Sequence, residues 1–431
     1  MKQFFKVNYQ SKKSKARLGE IITSHGVVKT PAFISAATKG TIKSLSPQLI
    51  KEIGIQAGCV NTYHLVTHPG AEIIEKAGGI HKYSQLNIPL ISDSGGFQVF
   101  SLASPKRQFA AKAGVRGEEN PLLVKISEDG VKFRSTFDGA LIEFTPEKSM
   151  EFQQKIGADI NMAFDECTYY PATHEYAEKA MKRTHEWLKR CVNFKARNRN
   201  FLSPVGTLPA GSGVSQVAKN FVSSPLTSHQ SLTTSHQFLY GVIQGGTFED
   251  LRKKSAEFVV SQDTPGVAIG GVSVGESKKE MRSQVRWVAD YLPKDRPVHL
   301  LGVGQVDDII DLVKYGVDTF DCVEPTRLAR MGEIYKARRP KFFGGKLQTA
   351  KNLSSSLLKN TDITKSIYKS NFEKVDVDCD CYVCQNFTKS YLHHLFKQRE
   401  ILGYTLATYH NLWVMEKLFE KIREMIGNDL I

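Results

Sequence analysis

The chain has 431 residues, with 58 lysines and arginines against 44 aspartates and glutamates, a net charge of +14 and 41% hydrophobic content. That composition excludes wholesale disorder, and no stretch reaches the ~20 consecutive apolar residues that a membrane-spanning helix requires. The opening residues Met1-Lys2-Gln3-Phe4-Phe5 carry no secretory pattern, and seven cysteines, three of them crowded at 379–384, argue against a disulfide scaffold and for a reducing, cytoplasmic setting.

In chain order, short apolar runs suited to buried parallel strands recur at 31–35, 58–65, 88–93, 159–165, 238–244, 266–271, 298–302 and 318–322. Segments of helical periodicity separate several of them, at 49–53, 147–156, 175–196, 248–262, 278–291 and 305–314. Eight strands alternating with helices fit a (β/α)8 barrel, although strand count alone does not force closure and a doubly wound sheet shares the alternation. The expected division is a barrel over 1–345 and a smaller unit over 346–431. Two segments break the rhythm. Residues 103–120 begin a stretch that ends in a hairpin signal, two alternating runs at 122–126 and 131–137 around Glu128-Asp129-Gly130. Residues 198–237, rich in Ser, Thr, Gly and Pro, read as an exposed insertion.

Barrels of this kind carry their chemistry at the C-terminal ends of the strands. That rule selects Asp93, Asp165, Gln244, Gly271, Gly302 and Asp321 together. Each aspartate taken alone reads as well as a helix cap or an ion pair. Asp93 opens Asp93-Ser94-Gly95-Gly96-Phe97-Gln98, where paired glycines let backbone and ligand approach closely. Asp321 precedes Cys322-Val323-Glu324-Pro325-Thr326-Arg327, so a carboxylate is followed by a cationic segment. Two carboxylates at a sugar C1 position match glycosidase logic, one attacking and one moving protons. Basic residues cluster at 182–199 and 327–346, and the bland reading of either cluster is a solvated face.

Further on, Cys379-Asp380-Cys381-Tyr382-Val383-Cys384 is followed by His393, His394 and His410. Three thiolates and one imidazole form a closed tetrahedral set suited to structural Zn²⁺, with the fourth ligand open among the histidines on spacing alone.

Taken in order, Asn61-Thr62-Tyr63-His64-Leu65, Asp93-Ser94-Gly95-Gly96-Phe97-Gln98, Phe164-Asp165-Glu166, Gln244-Gly245-Gly246, Ile269-Gly270-Gly271-Val272-Ser273-Val274-Gly275-Glu276 and Asp321-Cys322-Val323-Glu324-Pro325-Thr326-Arg327 resemble queuine/tRNA-guanine transglycosylases. The cysteine cluster, Tyr391-Leu392-His393-His394-Leu395 and Thr408-Tyr409-His410-Asn411-Leu412 extend the resemblance towards the C-terminus. It implies a (β/α)8 barrel with a zinc-binding insertion, which exchanges guanine at the anticodon wobble position of tRNA for a 7-deazaguanine base.

By the same resemblance Asp321 is the nucleophile on ribose C1′, and Asp93 is the general acid/base. Asp165, Gln244 and Gly271 read the base's edge, and Phe97 stacks on its face. Arg327 and Arg330 hold the flanking nucleotides, and Cys379, Cys381, Cys384 and His410 bind zinc. The resemblance also implies a homodimer. Glu324 and Met331 stand where bacterial relatives usually carry an apolar residue and Asn, and His68 replaces a usual Arg. Val274 and Cys167 resemble the bacterial pattern, which goes with the aminomethyl-deazaguanine precursor rather than queuine. The readings that compete are a barrel glycoside hydrolase on free sugars and a non-catalytic RNA-binding relative. The first needs no basic rim, and the second would be expected to lack one of the two aspartates.

Overall fold

A computed structural model describes residues 4–97, 123–135, 137–198, 237–337 and 358–431. The segment 103–120, most of 198–237 and the basic residues 338–346 lie outside the described residues.

The chain starts with an antiparallel three-stranded sheet, Phe5–Gln10 (β1), Arg17–Thr23 (β2) and Gly26–Thr30 (β3). The barrel strands follow: Ala32–Ala36 (β4), Gly58–Asn61 (β5) and Leu90–Asp93 (β6). A second antiparallel sheet, Leu123–Ile126 (β7), Val131–Arg134 (β8) and Leu141–Phe144 (β9), interrupts them. The expected hairpin is therefore present, with a third strand that its sequence did not announce. The barrel resumes with Ile160–Met162 (β10), Phe238–Ile243 (β11), Gly266–Ile269 (β12), Val298–Leu300 (β13) and Thr319–Cys322 (β14). All eight pair in parallel and β14 closes against β4, Asp321 lying opposite Ile34. Every barrel strand falls largely inside a run expected from the sequence. Closure excludes the doubly wound alternative.

Period-two alternation divides the side chains into two cores. Ala32, Ile34, Ile91, Ile160, Met162, Tyr240, Val242 and Ala268 fill the lumen. Phe33, Val60, Leu90, Ile243, Ile269, Leu300 and Phe320 face the surrounding helices. Phe5, Ile21 and Val28 of the N-terminal sheet join the lumen core, so β1–β3 plug the end where the strands begin. A histidine clamp ties the plug down. Asp159, just before β10, accepts from Ser24 Oγ and His25 Nδ1 on one oxygen (3.1 and 2.8 Å). Its other oxygen takes Leu90 N–H at 2.9 Å and faces His81 Nε2 at 3.2 Å. The two imidazoles stack 3.4 Å apart at 8°, and parallel rings cannot aim their in-plane lone pairs at one ion. This cluster is a clamp rather than a metal centre.

Beyond β14 come a short helix, Glu324–Arg330 (α1), and an antiparallel pair, Glu333–Ala337 (β15) with Leu358–Asp362 (β16). The chain ends in Tyr382–Asn386 (α2), Lys389–Gln398 (α3) and the 27-residue helix Ile401–Gly427 (α4). Phe419 of α4 packs on Phe33 and Phe320, with ring centroids 6.1 and 5.9 Å apart. Asn411 fixes the same helix to the segment after the barrel: its amide donates to Pro325 O and Glu333 O, and its oxygen accepts from Tyr335 N. The last helix is thus part of the barrel's outer layer as well as of the C-terminal unit. No helix among the described residues is long and apolar enough to cross a membrane.

Candidate active site

Three carboxylates meet at the C-terminal mouth of the barrel, each supported differently. Asp93 ends β6 directly opposite Asn61, the last residue of β5, and Asn61 Nδ2 donates to its Oδ2 at 2.7 Å. Asn61 is itself fixed, because its side-chain oxygen caps the next helix by accepting from His64 N. Burial, then the negative charges of Asp165 and Asp321, push the Asp93 carboxyl up to about 7, against backbone N–H groups of Gly95 and Ser94. A carboxyl that changes charge near neutrality can both give and take a proton.

Asp165, after β10, is buried and accepts from Ser94 Oγ at 3.0 Å and Gln244 Nε2 at 2.7 Å. Burial raises it, the Gln244 and Ser94 donors oppose, and the outcome is about 6. Glu166 next to it is anchored by Arg183 and by Tyr176 Oη at 2.7 Å, which fixes the turn. Gln244 leaves its Oε1 with no donor among the described residues although the side chain is fully buried. An unsatisfied buried carbonyl costs roughly 1–3 kcal/mol, so a ligand N–H is its natural partner.

Gly271 has φ +61°, and a Cβ there would stand 2.2 Å from Gln244 Oε1, so only glycine fits. Gly96 is equally constrained, since a Cβ would come within 2.5 Å of Asp165 O. Phe97, next to it, presents an exposed ring. Arg252, fully buried, gathers Gly246, Gly270 and Gly271 by donating to their three carbonyls at 2.6–2.7 Å.

Asp321, on β14, has its Oδ1 occupied: Gly302 N–H donates at 2.9 Å and His299 Nε2 lies 3.3 Å away. The rim beyond it is cationic. Arg327 and Arg330 sit on α1, and Lys39 and Lys43 on the loop after β4. Among the described residues none of the four has a carboxylate within salt-bridge distance. Burial, then Arg330 and Lys39, lower Lys43, while burial and both lysines lower His64. The 182–199 cluster behaves otherwise: Lys182, Arg183, Lys189 and Arg190 all pair with glutamates.

Behind the rim Cys379, Cys381, Cys384 and His410 form a buried cluster with ligand atoms within 4.8 Å of one another. His410 Nδ1 lies 3.4 and 3.3 Å from the sulfurs of Cys381 and Cys384, and its Nε2 meets Tyr335 O at 2.6 Å. The bond to Tyr335 fixes the proton on Nε2 and leaves Nδ1 free to ligate. Hydrogen bonds from the neighbouring thiols lower the Cys381 thiol below its ordinary range. The donor set fits a closed metal site. His393, left open by spacing, instead bonds Ile363 O through Nδ1 at 2.8 Å.

The candidate residues thus converge, while Asn61, Lys39, Lys43, Arg252 and His299 were not singled out from sequence. Asn61 had a signal, as a polar residue at a strand end level with Asp93. Arg252 had none, because a helical arginine declares its buried partners only in three dimensions.

The carboxyl of Asp93 also makes a stability prediction. A folded-state value raised to about 7 means that its stabilising contribution is complete below the ordinary carboxylate range and is lost as pH rises through 7. Asp93→Asn should therefore melt higher than wild type at pH 8 and level with it at pH 4. An Asp93→Asn variant no more stable than wild type at pH 8 would contradict the buried, charge-crowded environment.

The model of the family described as Queuine tRNA-ribosyltransferase matches residues 11–431. A queuine tRNA-ribosyltransferase of Caldanaerobacter subterraneus is 41% identical over 99% of this chain and 94% of its own length. That of Aquifex aeolicus is 40% identical over 98% and 94%, and that of Synechococcus elongatus 38% over 99% and 91%. Near-complete coverage at this identity, with the barrel-mouth carboxylates and the Cys3His cluster both present, shows that the chain belongs to the queuine tRNA-ribosyltransferase family.

Proposed function

We propose that the chain is a pentosyltransferase that exchanges guanine at the wobble position of a tRNA anticodon for a 7-deazaguanine base. The observation that carries this reading is one barrel mouth holding a carboxylate poised near neutrality, a second carboxylate with one oxygen held, and a cationic rim with no ion-paired carboxylate among the described residues. Asp321 attacks ribose C1′ as the bond to guanine breaks, giving a glycosyl ester. Asp93 protonates the departing base and takes the proton from the incoming one. Asp165, the Gln244 amide and the Gly271 backbone meet the base's polar edge, and Phe97 covers its face. A hydrolase of free sugars would have no use for the rim. Incubating the protein with a guanine-34 tRNA and labelled guanine tests the reading: label should enter the tRNA, and release of free sugar without incorporation would refute it.

The rim carries its own prediction. Arg327→Ala or Arg330→Ala should weaken tRNA binding and reduce the salt dependence of log Kd by about 1 for each phosphate no longer neutralised. An affinity independent of salt in wild type would remove the rim from RNA binding.

For the incoming base we propose the aminomethyl-deazaguanine precursor. Val274 is half-buried and its N–H donates to Glu276 Oε2 at 2.9 Å, so a branched side chain stands on a tethered loop. One or two methyls there discriminate against the bulkier queuine by ~1–3 kcal/mol. Comparing kcat/KM for the two bases decides it. The Cys3His cluster is proposed to hold one structural zinc ion, which would knit α2 and α4 together without an open coordination position. Residues 346–431 are proposed as the zinc-binding unit, the working form as a homodimer, and the setting as cytoplasmic, where thiols stay reduced.

A further inference from the structure

We propose that His299 is a positioning residue for Asp321, holding one carboxylate oxygen so that the other is the one that attacks. The proposal rests on the reading of Asp321 as nucleophile. Alternation along β13 sends Val298 and Leu300 outward to the helices, which leaves His299 in the lumen, fully buried and beside β14. It pairs in register with Thr319, and its Nδ1 lies 2.9 Å from Thr319 Oγ1.

Nε2 has no well-aligned hydrogen-bond partner among the described residues, and 3.3 Å away stands Asp321 Oδ1. A buried ring nitrogen left unpaired is costly, so a lumen histidine with one nitrogen held and the other facing a carboxylate is built to donate to it. The neutral tautomer that does so carries its proton on Nε2, with Nδ1 accepting from the Thr319 hydroxyl.

The consequence is an asymmetry between the two oxygens. Oδ1 faces two donors, Gly302 N–H at 2.9 Å and His299 Nε2–H. Oδ2 has no donor among the described residues. Oδ2 therefore forms the bond to C1′ while the C1′–N9 bond breaks, its electron pair passing to guanine as Asp93 supplies the proton. Oδ1 becomes the ester carbonyl. When the incoming base attacks C1′ through nitrogen and gives its proton to Asp93, the carboxylate leaves with the bonding pair. The two donors on Oδ1 receive the returning charge, so His299 assists both halves without touching substrate.

The test uses the full chain with a guanine-34 tRNA and compares His299→Leu, which removes the donor, with His299→Gln, whose amide N–H reaches about the same point. Single-turnover formation of a denaturation-resistant protein–tRNA adduct, kcat, KM for tRNA and melting temperature are measured together. His299→Leu should slow adduct formation and kcat by about ten- to a hundredfold, the loss expected of one hydrogen bond to a charged group, with KM for tRNA unchanged. His299→Gln should recover most of that loss.

Thr319→Val, which frees the ring to turn, should slow the adduct by a smaller factor and add little in combination with His299→Leu. Wild-type adduct rates in His299→Leu would overturn the proposal. So would a Gln variant as slow as Leu, or Thr319→Val effects that multiply independently. Failure of the nucleophile reading looks different: an adduct that persists in Asp321→Ala removes that reading whatever His299 does.

Discussion

Asp321→Ala is expected to abolish base exchange, by at least about 10⁴-fold, while the variant still binds tRNA. In the mechanism proposed above the loss is large because the residue supplies the electron pair of the new C1′ bond, and no neighbour can substitute. Asp93 ends β6 and Asp165 follows β10, one held by Asn61 and the other by Ser94 and Gln244. Binding persists because the cations of the rim, Lys39, Lys43, Arg327 and Arg330, owe nothing to the aspartate as partner. A denaturing gel reads the outcome. Wild type incubated with tRNA and a slow second base should show a shifted protein–RNA band, and the variant none. A band of equal strength in Asp321→Ala would take the residue out of the covalent step.

The second large effect concerns the metal. Cys381→Ala/Cys384→Ala should empty the Cys3His set, with content falling from about one zinc per chain to none after dialysis. Structural zinc contributes on the order of 10 kcal/mol to the fold of small domains, so the C-terminal unit should loosen first. The damage should then reach the rim by a defined route. His410 and its neighbour Asn411 hold Tyr335 O, Tyr335 N and Pro325 O, and Pro325 lies on the helix that carries Arg327 and Arg330. Weaker tRNA binding should accompany increased proteolysis of the C-terminal helices, with the barrel's melting transition retained. Full zinc content in the double variant would refute the ligand assignment.

Sequence legibility followed the range of the forces involved. Buried parallel strands must be apolar on both faces, so all eight announced themselves as apolar runs, most of them ending in polar or glycine residues. The Asp-Gly turn announced the hairpin of β7 and β8, because only a few residues tolerate the backbone that it needs. Crowded cysteines likewise announced the buried cluster, which could hold a metal ion. The strands β1–β3, β9, β15 and β16 were not legible, since half-exposed short strands carry patterns that loops share.

What the sequence by itself determined is the repertoire: the strands, the carboxylates at their ends, the thiolates and the excess of positive charge. Those are properties of residue type and spacing, and they survive without knowledge of any contact. What only the tertiary structure decided is which groups share an environment. Barrel closure puts β14 beside β4 and so joins Asp321 to the Lys39–Lys43 loop, far apart though they are along the chain. It buries Asp93 and sets Asp165 and Asp321 near it, which lifts its carboxyl to about 7, and it brings His410 rather than His393 beside the three cysteines. It also pairs Lys182, Arg183, Lys189 and Arg190 with glutamates, while Arg327 and Arg330 have no carboxylate at ion-pair distance among the described residues. Electrostatic and hydrogen-bond energies depend on distance and burial, and a one-dimensional order of residues contains neither.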